Sequence, residues 1–140
     1  MPSFQVTRVI QFSYGHRILG HVGKCRHLHG HNGTVEVDVE ADSLDRLGMV
    51  VDFGVVSEVV KSWIDANLDH RMVLARDDPA VAALQALDEP LYLTDANPTA
   101  EHLASLIWLA AKAAGLPVSE VRLWETPTSR ASYRGVVWNE

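Results

Sequence analysis

Residues 33–41 read Gly33-Thr34-Val35-Glu36-Val37-Asp38-Val39-Glu40-Ala41. Val35, Val37, Val39 and Ala41 alternate with Thr34, Glu36, Asp38 and Glu40. A strict period of two gives a strand one apolar and one charged face, which predicts half-buried antiparallel structure. Upstream, residues 4–14 (FQVTRVIQFSY) place Phe4, Val6, Ile10, Phe12 and Tyr14 on one parity and predict a second strand. Downstream the period changes. Val55, Val56, Val59, Val60, Trp63, Ile64 and Leu68 recur at helical spacing over 54–68. Leu103, Leu106, Ile107, Ala110 and Ala111 do the same over 99–114, with Asn97-Pro98 as the start and Gly115 as the stop. Two more strands are predicted at 119–126 (SEVRLWET) and 131–138 (ASYRGVVW). Residues 71–98 form a long connection with one short helix at 80–87. The order strand, strand, helix, helix, strand, strand predicts an α+β domain with an antiparallel sheet and both helices on one face. Its unpaired edges favour edge-to-edge oligomerisation.

The composition bounds the chemistry. A length of 140 residues suits one domain, 1–140, and 47% hydrophobic residues supply a core. A formal net charge of −6 argues against a nucleic-acid partner. Cys25 is the one cysteine, so no intrachain disulfide forms, which fits a reducing cytoplasm. The start, MPSFQVTRVIQ, lacks a charged region followed by an apolar run, and no apolar stretch approaches 18 residues. Neither a signal peptide nor a membrane span is expected.

Seven histidines are the anomaly, because five of them fall between His16 and His31. Their centre is Cys25-Arg26-His27-Leu28-His29-Gly30-His31. Side chains two apart on an extended strand share a face, so His29 and His31 can share one ion. Gly30 between them permits close backbone approach. Two neutral imidazoles would offer zinc nitrogen ligands at about 2.0–2.1 Å, and a catalytic zinc takes three protein ligands with one open position. Spacing leaves the third ligand open among His16, His21, His27 and Cys25. A structural zinc would want four ligands and more thiolates, so the set leans toward catalysis.

Three further groups carry chemistry. Cys25 lies four residues before His29, where a nearby cation or Lys24 favours thiolate and a general-base role. Asp69-His70 places a carboxylate next to an imidazole, an arrangement that can orient the ring and stabilise its charged form. Glu125 shares parity with Val121 and Leu123, and a core-facing carboxylate is costly unless paired. A ligand with two adjacent N–H donors, such as a 2-amino-4-oxo pterin ring, would pair it bidentately. Thr99 and Glu101 read as helix-start residues.

With these residues in view, the chain resembles the 6-pyruvoyl-tetrahydropterin synthase / 6-carboxy-5,6,7,8-tetrahydropterin synthase family. The resemblance rests on an ordered set: FSYGHR with His16, KCRHLHGH with Cys25, His29 and His31, GMVVDF at 48–53, LDH at 68–70, NPTAE at 97–101 and WET at 124–126. It implies the tunnelling fold: a four-stranded antiparallel sheet (ββααββ), two helices on one face, and assembly into an oligomeric β-barrel trimer, commonly stacked as a hexamer. It implies zinc on His16, His29 and His31, with His27 a non-ligand. It implies Cys25 as general base, Asp69 and His70 as a proton relay, Glu125 as the pterin clamp, and Thr99 and Glu101 as pocket-lining residues. The Cys-x3-His-Gly-His spacing resembles the bacterial carboxytetrahydropterin synthases of queuosine (7-deazaguanine) biosynthesis. That implies a zinc lyase converting 7,8-dihydroneopterin triphosphate to 6-carboxy-5,6,7,8-tetrahydropterin, acetaldehyde and triphosphate. The alternatives are a pyruvoyl-type synthase and a non-catalytic zinc- or pterin-binding protein of the same fold. Lys24, Arg26 and Arg17 are candidates for the triphosphate. Two departures stand out: the connection 71–96 is longer than in compact bacterial members, and Tyr14-Gly15 stands where small residues are common.

Overall fold

A computed structural model describes residues 2–135. Strand β1 runs Phe4–His16 and β2 runs His29–Ala41. Helix α1 (Phe53–Asn67) follows, then β3 (Met72–Ala75), α2 (Ala80–Ala86), β4 (Leu91–Thr94), α3 (Ala100–Ala113), β5 (Val118–Thr126) and β6 (Ser129–Tyr133). The sheet order is β4-β3-β1-β2-β5-β6.

β1 and β2 form one long antiparallel hairpin paired without interruption from Phe4↔Ala41 to His16↔His29. β5 pairs antiparallel with β2, and β6 with β5. The alternation predicted for 33–41 is met: Val35, Val37 and Val39 are fully buried beside Ile10, Phe12, Val121 and Leu123. β2 begins four residues earlier than predicted, at His29, and β1 ends two later, at His16. Both extensions keep the parity of the core residues, so the histidines continue the apolar face.

Both long helices pack on that face. Val56, Val60 and Ile64 of α1 and Leu103, Ile107 and Ala111 of α3 join the same core. Each large aliphatic side chain so buried contributes about 1.5–3 kcal/mol relative to exposure. Asp52 caps α1 through its bond from the Gly54 N–H (2.7 Å), and Thr99 caps α3 through its bond from the His102 N–H (3.1 Å).

The sheet is larger than predicted. Within the connection 71–98, β3 pairs parallel with the end of β1, and β4 pairs parallel with β3 across α2. Among the described residues, the expected four antiparallel strands are therefore one part of a mixed six-stranded sheet, while the short helix expected at 80–87 is α2 between the two added strands. The reason is physical: Val73, Leu74 and Ala75 are consecutive and all buried. A strand covered on both faces shows no period of two, and four residues are too few to reveal one. β6 covers 129–133, and the remainder of the strand predicted at 131–138 lies outside the described residues from 136 onward.

Candidate metal centre

The hairpin register builds the centre. His16 stands directly across from His29, and Tyr14 across from His31. All four side chains leave the core-facing side of the sheet, at the end where β1 and β2 open into the loop 17–28. Ring centroids lie 4.6 Å apart for His16–His29, 5.1 Å for His16–His31 and 5.0 Å for His29–His31. One ring nitrogen from each lies within 4.8 Å of the others, an arrangement that could hold a metal ion. A Cβ on Gly30 would lie 3.2 Å from the Tyr14 carbonyl, so the predicted close approach is real. A Cβ on Gly33 would lie 3.0 Å from the Tyr14 ring. Tyr14 fills that space as the floor of the site.

Hydrogen bonds fix the tautomers. His16 Nδ1 lies 2.7 Å from the Pro98 carbonyl, and His29 Nδ1 lies 2.7 Å from the His27 carbonyl. A carbonyl only accepts, so each Nδ1 carries a proton, and in the neutral ring this leaves the lone pair on Nε2. Backbone carbonyls orient metal-binding histidines in this way. The Nε2 atoms of His16 and His31 are buried and have no hydrogen-bond partner among the described residues. Buried polar atoms are rarely left so, and an ion bound here would supply the missing partner. Burial pushes the pKa of both rings below the usual histidine value, although Glu125 opposes it. The rings stay neutral, as ligation requires. His21 and His27 are exposed and outside the cluster.

Glu125 faces the same centre. Its Oε1 lies 3.6 Å from His16 Nε2 and its Oε2 lies 3.8 Å from His31 Nε2. The parity argument is therefore met. The β5–β6 pairing is irregular between Trp124 and Thr126, a bulge of the kind that re-aims a side chain. The Tyr14 hydroxyl is buried and unpartnered among the described residues, and burial, then Glu125, pushes its pKa well above the usual value.

The remaining predicted residues sit around this core. Thr99 Oγ1 is occupied as the α3 cap, and Glu101 is exposed in the first turn of that helix. Cys25 is half-buried in a short 3-10 turn, Lys24–Arg26, and its carbonyl accepts from the Ile18 N–H at 2.8 Å. Asp69 and His70 do bond each other, Oδ2 to Nδ1 at 2.9 Å. They grip β1 as well: Asp69 Oδ1 accepts from the Ser13 N–H at 3.0 Å, and the His70 N–H donates to the Ser13 carbonyl at 2.7 Å. His70 adopts φ 57°, a left-handed conformation costly for a side-chain-bearing residue, and these bonds hold it there. Burial opposes ionisation of Asp69, but the bonds from Ser13 and His70 outweigh it and hold its pKa below the usual carboxylate range. The pair lines a hollow with Gln11, Ser13 and Asn32, whose side chains leave the face away from the core. It is not part of the three-histidine cluster. Arg17 is not free for an anion, because its guanidinium pairs with the buried Asp78.

Two contributors escape sequence reading. Asn97 grips Leu19 at both backbone groups, accepting from its N–H at 3.0 Å and donating to its carbonyl at 2.9 Å. It thereby fixes the loop that returns through Ile18 to Cys25. Pro98 orients His16 through a carbonyl, which no side-chain pattern reveals. The dipeptide Asn97-Pro98 signals only a helix start.

Comparison with known proteins bears on the family of the chain. The sequence model of the family described as 6-pyruvoyl tetrahydropterin synthase matches residues 5–136. The chain is 39% identical over 132 residues to a Rickettsia felis protein named 6-carboxy-5,6,7,8-tetrahydropterin synthase, covering 86% of this chain and 93% of that one. A Haemophilus influenzae protein of the same name is 32% identical, covering 94% of this chain and 99% of that one. The solved structure of Caenorhabditis elegans 6-pyruvoyl tetrahydropterin synthase superposes with a TM-score of 0.72 at 26% identity, covering 97% and 98% of the two chains. The hairpin-borne histidine centre thus stands on a chain that belongs to the 6-pyruvoyl tetrahydropterin synthase family.

Proposed function

We propose that this chain is a zinc-dependent lyase that converts 7,8-dihydroneopterin triphosphate and water to 6-carboxy-5,6,7,8-tetrahydropterin, acetaldehyde and triphosphate. The observation that carries it is the pair of buried, unpartnered Nε2 atoms beside a third imidazole. The names of the similar proteins supply the substrate class.

Zinc held by His16, His29 and His31 would supply Lewis-acid polarisation of the substrate's side-chain oxygens. Cys25, on the loop that Asn97 fixes, removes a proton from the adjacent side-chain carbon as general base. Asp69 holds the His70 ring by Nδ1, which leaves Nε2 to carry the second proton transfer. Glu125 accepts from the paired N–H groups of the pterin ring, and Thr99 and Glu101 line the ring pocket. Holding ring and side chain together converts the chemistry to an intramolecular event.

The functional unit is a homo-oligomer, a β-barrel trimer stacked as a hexamer. Its support is the open sheet edge: among the described residues β1 meets β3 only at Gly15 and His16, so Phe4–Tyr14 have no strand on that side. Exposed edges of this length invite pairing with another chain. In such an assembly the Asp69–His70 pair of one subunit serves the Cys25 of another. We place the protein in the cytoplasm, in queuosine biosynthesis, as one pterin synthase domain over residues 1–140. Among the described residues, no helix is long and apolar enough to cross a membrane.

Product mass after incubating the zinc-loaded protein with dihydroneopterin triphosphate tests the reading. Acetaldehyde and the carboxylated tetrahydropterin support it. Triphosphate release with the three-carbon side chain retained assigns a pyruvoyl-type synthase instead. Pterin binding without turnover assigns a binding protein.

A further inference from the structure

The loop 17–28 carries Cys25 but has little of its own to hold it in place. Its backbone bonds are few. The Ile18 N–H donates to the Cys25 carbonyl at 2.8 Å and the His21 N–H to the Ile18 carbonyl at 3.2 Å. The Arg26 and His27 N–H groups donate to the Gly23 and Lys24 carbonyls at 3.3 and 3.0 Å. No residue from Arg17 to Leu28 is buried, and Val22 is 91% exposed. Arg17 ties the foot of the loop to Asp78. Beyond it, among the described residues, the hydrogen bonds that reach 18–28 from outside the hairpin are the two from Asn97. Its amide meets Leu19 at both backbone groups, as a neighbouring strand would. Asn97 is itself well held. It precedes a proline, which confines its backbone to extended conformations. Its carbonyl accepts from the Thr99 N–H at 2.9 Å. Buried Pro98 then leads into α3, whose Leu103, Ala104 and Ile107 are fully buried in the core.

We propose that Asn97 is a positioning residue for the proposed general base: from the root of α3 it sets where the Cys25 loop stands relative to the three-imidazole centre. The inference rests on the proposed role of Cys25 and adds the device that fixes its place. Asn97 acts at a distance, through Leu19 and the Ile18–Cys25 bond. The next residue gives the device its specificity. The Pro98 carbonyl lies 2.7 Å from His16 Nδ1, so adjacent residues of one segment orient a candidate metal ligand and anchor the thiol-bearing loop. Thiol and metal ligand thus share one support without touching each other. Such a support matters because a misplacement of about 1 Å can cost on the order of 100-fold in rate. Segments with exposed backbone bonds and few buried apolar contacts open most easily. Removing the Asn97 amide leaves the three imidazoles on their strands. It also leaves one backbone bond, Ile18 to Cys25, to close an exposed loop alone.

The test uses the full zinc-loaded chain in its native sequence and as Asn97→Ala. Asn97→Asp, which keeps the acceptor and loses the donor, is the closer substitute and serves should the first fail to fold. Hydrogen exchange is read by NMR at the amides of Ile18, Leu19, Val35, Val37 and Val39. Turnover of dihydroneopterin triphosphate gives kcat and KM separately. In Asn97→Ala the Ile18 and Leu19 amides are expected to exchange roughly tenfold faster or more, with the three valine amides and the zinc content unchanged. The kcat is expected to fall about 10–100-fold while KM stays within roughly threefold. Asn97→Asp is expected to lie between the native protein and Asn97→Ala in both readouts. Native exchange at Ile18 in Asn97→Ala overturns the proposal, because the amide that holds Cys25 then needs no Asn97. Equal acceleration at the valines overturns it too, by making Asn97 a residue of general stability. Native kcat in Asn97→Ala alongside an inactive Cys25→Ala overturns it as well. Failure of the Cys25 reading looks different: Cys25→Ala then keeps native turnover, while Ile18 exchange still responds to Asn97.

Discussion

β2 carries a buried polar cluster on each of its two faces. On the face away from the helices, Asp38 accepts from Arg122 at 2.5 and 2.8 Å and from Thr7 at 2.6 Å. Arg122 also reaches Glu120 at 2.6 Å and Glu36 at 3.3 Å, and Glu36 accepts from the Trp124 indole at 2.5 Å. Each of these charges has partners inside the protein. On the opposite face, His16 and His31 present Nε2 atoms with no hydrogen-bond partner among the described residues. Each cluster has one fully buried member, Asp38 in the first and His16 in the second, and partly buried neighbours, and both share β2. The first has its hydrogen bonds made within the chain, whereas the second keeps two ring nitrogens free for a ligand. Satisfaction, more than burial or charge, separates a structural polar network from a binding site.

Breaking the open cluster should give the largest effect. His29→Ala is expected to lower zinc affinity by more than about 100-fold, since losing even an outer-shell partner costs 10–100-fold. Equilibrium dialysis against a zinc buffer measures it, and unfolding in a metal-free buffer should hardly change. Arg122→Met should invert the pattern. It strands the Asp38 carboxylate, only 2% exposed, and is expected to cost about 3–5 kcal/mol in denaturant unfolding, with zinc stoichiometry untouched. A variant that loses both properties together would dissolve the distinction between the faces.

The smallest effect sharpens the comparison. Burial opposes ionisation of Asp38, but Arg122 and Thr7 prevail and hold its pKa below the usual carboxylate value. A depressed folded-state pKa contributes stability that is present above the unfolded value, about 3.9, and is lost as pH falls through the folded one. Unfolding free energy of the native protein should therefore fall more steeply below about pH 4 than that of Asp38→Asn.

The hairpin was legible because its alternation is long and strict, and the same parity carried His29 and His31 onto the core face. Helices α1 and α3 were legible through their apolar spacing. Met72–Ala75 and Leu91–Thr94 were not, since short strands buried on both sides leave no period. At the site, spacing yields the pair His29 and His31, but the third ligand depends on the cross-strand register, and only the family resemblance singled out His16. Parity placed Glu125 toward the core, though its nearness to the imidazoles needed coordinates. The Asp69–His70 bond depends on a left-handed turn that the letters do not announce.

The uninterrupted pairing from Phe4↔Ala41 to His16↔His29 has a consequence for how this chain can vary. Core valines and candidate ligands share one phase of one hairpin. An insertion in the 17–28 loop lengthens the tether without rotating a ligand. A single residue added within either strand turns every later side chain to the opposite surface, exchanging Val35 for Glu36 as well as His31 for Asn32. Length variation is therefore confined to the tip, and whatever preserves the core's phase preserves the ligand geometry with it.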